Sequence, residues 1–176
     1  MFIGKKVKLR GYKEEDIQPA YEYMNDMEVL QYLKPGIPYP MTLQKEKAWY
    51  ERQKELKDMY NFAVETLDGG LYIGGCGINM LDWKNSIAGV GIFIGHKDYR
   101  GKGYGTDAMK VLISFIFEQM NINKVQLDVY SFNQRAIKSY KKNGFIEEGR
   151  LRQSIFRNGQ YHDRVFMGIL REEYFK

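Results

Sequence analysis

The chain has 176 residues, of which 44% are hydrophobic and 28% are charged, and its formal net charge is +5. These values are typical of a globular protein with a substantial core, and without repeats or low-complexity linkers we expect one domain over residues 1–176. A single cysteine, Cys76, excludes an intrachain disulfide framework and a cysteine-based metal site, and two histidines are too few for a metal centre. We therefore expect a protein of the reducing cytoplasm that binds no metal.

Charge and hydropathy also restrict the partners. No apolar run reaches the ~18 residues that a membrane helix needs, and residues 1–10 are too charged for a signal peptide, so we expect no membrane partner. Lysines and arginines are scattered, so we expect no DNA partner, and a polyphosphate cofactor explains the modest positive excess equally well. Residues 14–33, in contrast, contain six acids and no lysine or arginine. This run is either a solvated helix face or a wall that attracts a cationic amine.

The first quarter of the chain alternates strand and helix signals. Residues 6–10 predict a strand, and a helix follows from about Glu15, with a proline tolerated in its first turn. A proline-stiffened loop over 35–40 precedes a second helix, which runs from the N-cap Thr42 to about Met59. The residues expected to face inward are Ala20, Tyr21 and Met24 in the first helix and Leu43, Trp49, Tyr50 and Leu56 in the second.

Three strands joined by hairpins come next. They are predicted over 62–66, 71–81 and 86–94, with turns at 68–70 and 82–85. Three glycines weaken the middle strand and mark a bulge or a close backbone approach, namely Gly74, Gly75 and Gly77.

A glycine loop over 100–106 separates the third of these strands from a helix. Apolar residues recur in that helix at positions 108, 111, 112, 115, 116 and 120. Alternating Gly101, Gly103 and Gly105 turn the backbone tightly and direct N–H groups outward where the helix opens, while Arg100 and Lys102 add mobile positive charge. The loop predicts a phosphate cradle, although an ordinary strand-to-helix turn explains the glycines as well. Its spacing matches neither a Walker A loop nor a Rossmann fingerprint.

The last third of the chain predicts a mixed α/β arrangement. Residues 124–130 form a strand, and a helix opened by 131–133 ends at Gly144 as a left-handed cap. A strand from Phe145 to Phe156 then turns at 157–160, where Asn158-Gly159 is a strong hairpin signal, into a last strand over Arg164–Leu170.

Two motifs give the chain a family resemblance. Arg100, Gly103 and Gly105 fit Arg/Gln-x-x-Gly-x-Gly/Ala, and residues 133–145 fit Asn-x-x-Ala-x-x-x-Tyr-x-x-x-Gly-Phe. The chain therefore resembles the GNAT N-acetyltransferases, and residues 147–150, 158–159 and 163 resemble the subgroup of ribosomal-protein alanine and spermidine acetyltransferases. The resemblance implies an α/β fold with a mixed central sheet of about six to seven strands flanked by about four helices. It also implies acetyl-CoA as co-substrate, a primary amine acceptor and frequent homodimers.

The resemblance assigns roles to individual residues. Tyr140 is the expected general acid for the departing thiolate, because a tyrosine titrates near 10 and is protonated at pH 7. Asn133 lies two helical turns before Tyr140 and faces the same groove. A backbone N–H near Ile92 is the expected oxyanion donor. The expected cofactor-binding residues are Phe93, Ile94, Arg100, Gly101, Lys102, Gly103, Tyr104, Gly105, Thr106 and Asn133.

The general base and the acceptor stay open at this level. Residues 86–94 contain no acid where many GNAT enzymes place a glutamate, and Glu65, Asp82 and His96 are candidates by position only. Protein N-termini, aminoglycosides and small amines all fit, and an acid-free 35–40 loop makes spermidine less favoured. Two other functions are a non-catalytic acyl-CoA sensor and an RNA-binding module that uses the arginines at 150, 152, 157 and 164.

Overall fold

The computed structural model describes residues 2–33, 36–53, 57 and 59–176, which form one seven-stranded sheet with helices on its faces. The strands are β1 (Val7–Arg10), β2 (Tyr60–Thr66), β3 (Tyr72–Asp82), β4 (Ile87–Ile94), β5 (Lys124–Tyr130), β6 (Ile146–Arg157) and β7 (Gln160–Leu170). The α-helices are α1 (Ile17–Tyr23), α2 (Met27–Leu33), α3 (Leu43–Arg52), α4 (Tyr104–Gln119), α5 (Gln134–Lys142) and α6 (Arg171–Tyr174). In the described part of the chain, no helix is both long and apolar enough to cross a membrane.

The sheet has the order β1-β2-β3-β4-β5-β7-β6. Every neighbouring pair is antiparallel except β4 and β5, which are parallel and are connected through α4. This confirms the predicted hairpins followed by a βαβ crossover. The β6–β7 turn contains Asn158 and Gly159, both with positive φ, as the Asn-Gly signal predicts.

The core lies between the sheet and α4. The helix buries one apolar face, and the buried residues are Ala108, Met109, Val111, Leu112, Ile113, Ile116 and Phe117. Phe115 is only partly buried and packs against the rings of Phe2 and Phe62. Asp107, in the first turn, accepts hydrogen bonds from the backbone N–H groups of residues 5–7, so β1 is anchored to the start of α4.

Two helix predictions needed correction. The single helix from Glu15 is instead a 3-10 turn followed by α1 and α2, because Asp26 interrupts the run and its carboxylate accepts from the Glu28 N–H at 2.8 Å. The helix after Thr42 ends at Arg52, although Thr42 caps it as predicted. Leu56 and Pro35, which the predictions included, lie outside the described residues.

The glycines of β3 allow close approaches on both sides of the strand, as predicted. A Cβ atom at Gly75 would overlap the Tyr12 hydroxyl and would lie 3.0 Å from the Phe93 ring. A Cβ at Gly74 would overlap the Phe93 carbonyl oxygen. Only glycine lets these groups pack so closely against the strand.

The sheet opens between β4 and β5. These strands pair only over residues 87–89 and 124–126, whereas β4 remains paired with β3 as far as Ile94. The β4 backbone after Gly89 therefore faces a gap on the β5 side. The functional groups described below surround this gap.

Candidate active site

Two cavities lie beside the second half of β4. The first, the cradle cavity, has a volume of about 550 Å³ and lies between β4, the start of α4 and α5. The second, the aromatic cavity, has a volume of about 710 Å³ and lies between β3, β4 and α3. Leu33, Ile92 and Phe93 line both cavities, so the two spaces meet there.

Nine of the eleven predicted site residues line the cradle cavity, and these are Phe93, Ile94, Arg100, Gly101, Gly103, Gly105, Thr106, Asn133 and Tyr140. Lys102 and Tyr104 line neither cavity. Lys102 is exposed, whereas the Tyr104 ring packs edge-on against Tyr99 at 4.9 Å and lies 5.0 Å from the Lys6 ammonium. The fold thus brings most of the predicted site residues to one cavity, and Lys102 and Tyr104 lie outside that cavity.

The glycine loop presents unpaired backbone donors to the cradle cavity. Gly103 has φ +87° and precedes α4, whose first hydrogen bond runs from Asp107 N–H to the Gly103 carbonyl at 3.0 Å. The N–H groups of residues 104–106 therefore come before the intrahelical hydrogen bonds begin. Together with the positive end of the helix dipole, they form an anion site of the kind that binds phosphate.

Arg100 has a structural role, and the prediction that it supplies mobile charge was wrong. Its side chain is only 7% exposed, and its guanidinium pairs with Asp26 at 2.7 Å and Glu28 at 2.8 Å. It also donates to the carbonyl oxygens of Ile94 and Gly95. Arg100 therefore fastens the glycine loop to β4 and α2.

Three cations that the sequence analysis missed line the cradle cavity, and they are Arg135, Lys138 and Lys142. Their spacing along α5 is three and four residues, so they share one helix face. None of them forms an ion pair within the described residues. That spacing was the available signal, and the three charges suit the phosphates of a nucleotide cofactor.

Asn133 and Tyr140 lie at opposite ends of α5 and both face the cradle cavity. The Asn133 side-chain oxygen caps the helix by accepting from Ala136 N–H at 3.2 Å, which leaves its amide N–H₂ for a ligand. Tyr140 is 8% exposed, and burial, with the nearby charge of Asp128, raises the pKa of its hydroxyl to about 12. Its phenol is therefore protonated throughout the neutral range.

The aromatic cavity combines ring faces with one buried carboxylate. The rings are those of Tyr12, Trp49 and Tyr72, and burial raises the pKa of both tyrosines. Glu46, on α3, is 6% exposed and is the one carboxylate among the described residues that line this cavity. The sequence analysis missed it, although its position one helical turn before Trp49 was a signal. Lys45 also lines the cavity.

The three candidate bases lie elsewhere. Glu65 pairs with Lys8 at 2.6 Å and with Arg10, and these pairs outweigh the opposing effect of burial and lower its pKa. Asp82 accepts hydrogen bonds from Asn85 in the β3–β4 turn. The His96 ring packs edge-on against the tyrosines at positions 23 and 99. None of the three lines either cavity.

The acidic run of residues 14–33 does not form an amine-binding wall. None of its acids lines the aromatic cavity, and Glu28 alone lines the cradle cavity. Three of the acids hold arginines instead: Asp16 pairs with Arg10, and Asp26 and Glu28 pair with Arg100. The interpretation as an acceptor wall was therefore wrong.

The arginines of the RNA-binding interpretation do not form an open basic surface. Arg150 pairs with Glu147 at 2.5 Å, and Arg164 pairs with Asp128 at 2.8 Å. Arg157 is buried and donates to the Gln31 carbonyl oxygen at 3.3 Å. Three of the four charges are used within the fold and Arg152 alone of them is exposed without an ion pair to a described residue, which disfavours a phosphate-backbone interface.

The chain is similar to known proteins over most of its length. Residues 6–146 match the model of the acetyltransferase (GNAT) domain family. The chain is 32% identical over 173 residues to the SPbeta prophage-derived uncharacterized N-acetyltransferase YokL of Bacillus subtilis, covering 98% of this chain and 94% of that protein. It is 30% identical over 175 residues to spermidine N(1)-acetyltransferase of Escherichia coli, covering 96% and 88%.

A solved structure shows the same architecture. Spermidine N-acetyltransferase from Vibrio cholerae, in complex with CoA and spermine, superposes with a TM-score of 0.86 at 25% identity. The superposition covers 97% of this chain and 98% of that one. The family resemblance and the predicted mixed α/β fold are thereby confirmed.

Proposed function

The chain belongs to the GNAT acetyltransferase family and uses acetyl-CoA, and from this premise we propose that it acetylates a primary amine bound in the aromatic cavity. The amine attacks the thioester directly while both substrates are bound. The observation that carries this proposal is the meeting of the two cavities at Leu33, Ile92 and Phe93. A thioester at that junction can be approached from the aromatic side while its cofactor occupies the cradle side.

The cradle cavity fits the pyrophosphate and pantetheine parts of acetyl-CoA. The free N–H groups of Gly105 and Thr106, which line the cavity, and the cations of α5 match the negative charge of the phosphates. The β4 backbone after Gly89 faces the gap and offers hydrogen-bonding groups to the amides of the pantetheine arm, and the Asn133 amide faces them from α5. When bound, the cofactor supplies the activated acetyl group.

The reaction then needs two proton transfers and one bond exchange. The neutral amine attacks the acetyl carbonyl carbon, a C–N bond forms, and the C–S bond breaks with its electron pair on sulfur. Tyr140 donates its proton to that thiolate. The amine releases one proton to solvent, and Tyr140 takes one proton back from solvent, so the enzyme returns to its starting state. A backbone N–H of β4 near Ile92 stabilises the oxyanion, because this stretch is not paired with β5.

The aromatic cavity suits an ammonium group before deprotonation. Glu46 offers a buried carboxylate, and the ring faces of Tyr12 and Trp49 attract cations. An alkylamine has a pKa near that of lysine, about 10.4, so it arrives mostly charged at pH 7. Glu46 therefore acts in this proposal as the residue that receives the acceptor.

The test is release of the CoA thiol from acetyl-CoA with a panel of amines: hexylamine, spermidine, peptides that begin with alanine or serine, and an aminoglycoside. We expect release with at least one amine class. Tight acetyl-CoA binding without release from any amine would contradict the proposal and support a non-catalytic acyl-CoA sensor. A spermidine-only response would favour the polyamine acceptor named in several relatives.

A pair of variants tests the acceptor side of the same assay. Glu46→Gln should raise the KM for the amine about tenfold or more, because a hydrogen bond to a charged group is lost. Glu51→Gln is the matched control, since Glu51 lies exposed on the same helix and lines neither cavity. Equal KM values for the amine in the two variants would show that Glu46 does not bind the acceptor.

We also propose that the protein works in the cytoplasm, supported by its single cysteine, which is buried and free. A homodimer stays a prediction, and gel filtration with light scattering would test it.

A further inference from the structure

The charges of the aromatic cavity are divided between its interior and its rim. Glu46 is buried inside, whereas Lys45 and Arg52 are exposed residues of the same helix that also line the cavity. The described residues that line the cavity therefore include two cations and one carboxylate. We propose that the preferred acceptor is a primary amine with a carboxylate at its far end, an inference that rests on the proposed function.

The interior end is built to hold the amine. Tyr72 lines the cavity and is 5% exposed, and its buried hydroxyl has no hydrogen-bond partner of normal geometry. The ring of Tyr12 lies edge-on to the Tyr72 ring, with 6.1 Å between the ring centroids. A buried hydroxyl without a partner is costly, and because Tyr72 lines the cavity, the proposal gives this hydroxyl a polar atom of the acceptor as its partner.

The rim is built to hold an anion. The Lys45 ammonium is kept at the mouth by Tyr39, whose hydroxyl is 3.0 Å away. Arg52 lies two turns further along α3, at an axial separation of about 10 Å, and forms no ion pair with a described residue. Lys45 lies four residues before Trp49 and Arg52 three residues after it, so the three residues share one helix face, and all three line the cavity.

This arrangement selects against a second positive charge. A diamine with one end at Glu46 would bring its other ammonium towards Lys45 and Arg52, and that end would be repelled. An amino carboxylate of similar length would satisfy both ends. The loop that completes the rim contributes Ile37, Pro38 and Tyr39, none of which is acidic. This chain therefore differs in its expected acceptor from the spermidine acetyltransferases that it resembles.

The experiment compares three probes of similar length, namely 6-aminohexanoate, hexylamine and 1,6-diaminohexane. For the wild-type protein, kcat/KM should be highest for the aminohexanoate and about tenfold lower for the diamine. The double variant Lys45→Glu, Arg52→Glu should reverse this order. Lys47→Glu is the matched control, because Lys47 is exposed on the same helix but lines neither cavity, and it should keep the wild-type order.

A second arm identifies the source of the carboxylate. The C-terminally amidated tripeptides Ala-Ser-Glu-NH₂ and Ala-Ser-Lys-NH₂ present the same amine with opposite side-chain charges at a distance, because the amide removes the terminal carboxylate from both. Preference for the glutamate peptide would indicate an acidic protein or peptide N-terminus, and preference limited to aminohexanoate would indicate a small amino acid.

Two results would overturn the inference. One is a wild-type preference for the diamine, and the other is an unchanged order of probes in the double variant with an unchanged urea midpoint. Absence of transfer to all three probes, hexylamine included, would instead contradict the proposed function, because hexylamine has no charged tail to be selected.

Discussion

The cradle cavity and the aromatic cavity meet at Phe93, yet they are formed by different kinds of groups. The cradle cavity depends on backbone N–H groups at a helix start and on glycines in one loop. The aromatic cavity depends on side chains that come from distant parts of the chain, among them Tyr12, Glu46 and Tyr72. Backbone donors bind a phosphate whatever the neighbouring side chains are, whereas each side chain of the aromatic cavity changes which acceptor fits.

This difference predicts unequal responses to substitution. A change in the backbone of the cradle cavity should affect cofactor binding as a whole, and a change in the aromatic cavity should affect the choice or affinity of the acceptor. Four variants test this contrast, in order of decreasing expected effect.

Gly103→Val should abolish acetyl-CoA binding, with a Kd at least about 100-fold higher. Valine is strained at φ +87°, so the loop would have to leave the conformation that directs its N–H groups towards the ligand. Isothermal titration of acetyl-CoA measures the loss, and a cooperative urea transition shows that the protein still folds. Gly69→Val is the matched control, because Gly69 has φ +79° in an open turn and should lose stability but not affinity. A normal Kd for acetyl-CoA in Gly103→Val would contradict the assignment of the glycine loop as the phosphate site.

Tyr140→Phe should lower kcat about 100-fold while the Kd for acetyl-CoA stays nearly unchanged, because only the proton donor is removed. Tyr130→Phe, a buried tyrosine that lines neither cavity, is the control and should keep its activity. Since burial raises the pKa of Tyr140 to about 12, the wild-type kcat should not fall between pH 8 and pH 10 through loss of this proton. Full turnover in Tyr140→Phe would exclude Tyr140 as the acid.

Tyr72→Phe should raise the KM for the acceptor about fivefold, which corresponds to one hydrogen bond, and should leave the urea midpoint unchanged or slightly higher. Stability is not lost because the hydroxyl has no partner in the folded protein. Tyr23→Phe should behave in the opposite way, since its hydroxyl donates to the Tyr72 carbonyl oxygen at 3.0 Å. A destabilised Tyr72→Phe with normal KM would show that the hydroxyl serves the fold alone.

Asp26→Asn should lower the free energy of unfolding by about 1 kcal/mol at pH 7, a modest value because the carboxylate is about one-third exposed. Burial opposes ionisation of Asp26, but hydrogen bonds from Arg100 and the backbone outweigh it and lower its pKa. The stabilisation is therefore present above the unfolded pKa and is lost as the pH falls through the lower folded pKa. Urea unfolding at pH 7, 5 and 3 should show the same difference between wild type and variant at pH 7 and pH 5, and a smaller difference at pH 3.

Several features of the molecule follow from short stretches of sequence. The start of α4 at the glycine loop, the Thr42 cap, the Asn158-Gly159 turn and the face shared by Asn133 and Tyr140 were all predicted correctly. Each depends on residues within about two helical turns of one another, so periodicity and backbone preference are sufficient. The general base stayed unassigned and the interpretation of the acidic run as an acceptor wall was wrong, because both required distances between separate elements.

The sequence by itself determined the elements around the glycine loop, since glycine geometry and helix periodicity are local properties, and its two motifs carried the resemblance to the family that the chain belongs to. Only the tertiary structure decided where β4 leaves β5, and this gap places the two cavities side by side. It also decided that Asp26 and Glu28 hold Arg100, and that Glu46 and Tyr72 share one cavity although 26 positions separate them. Such pairs form when packing buries them together, and no local pattern records which distant residues will meet.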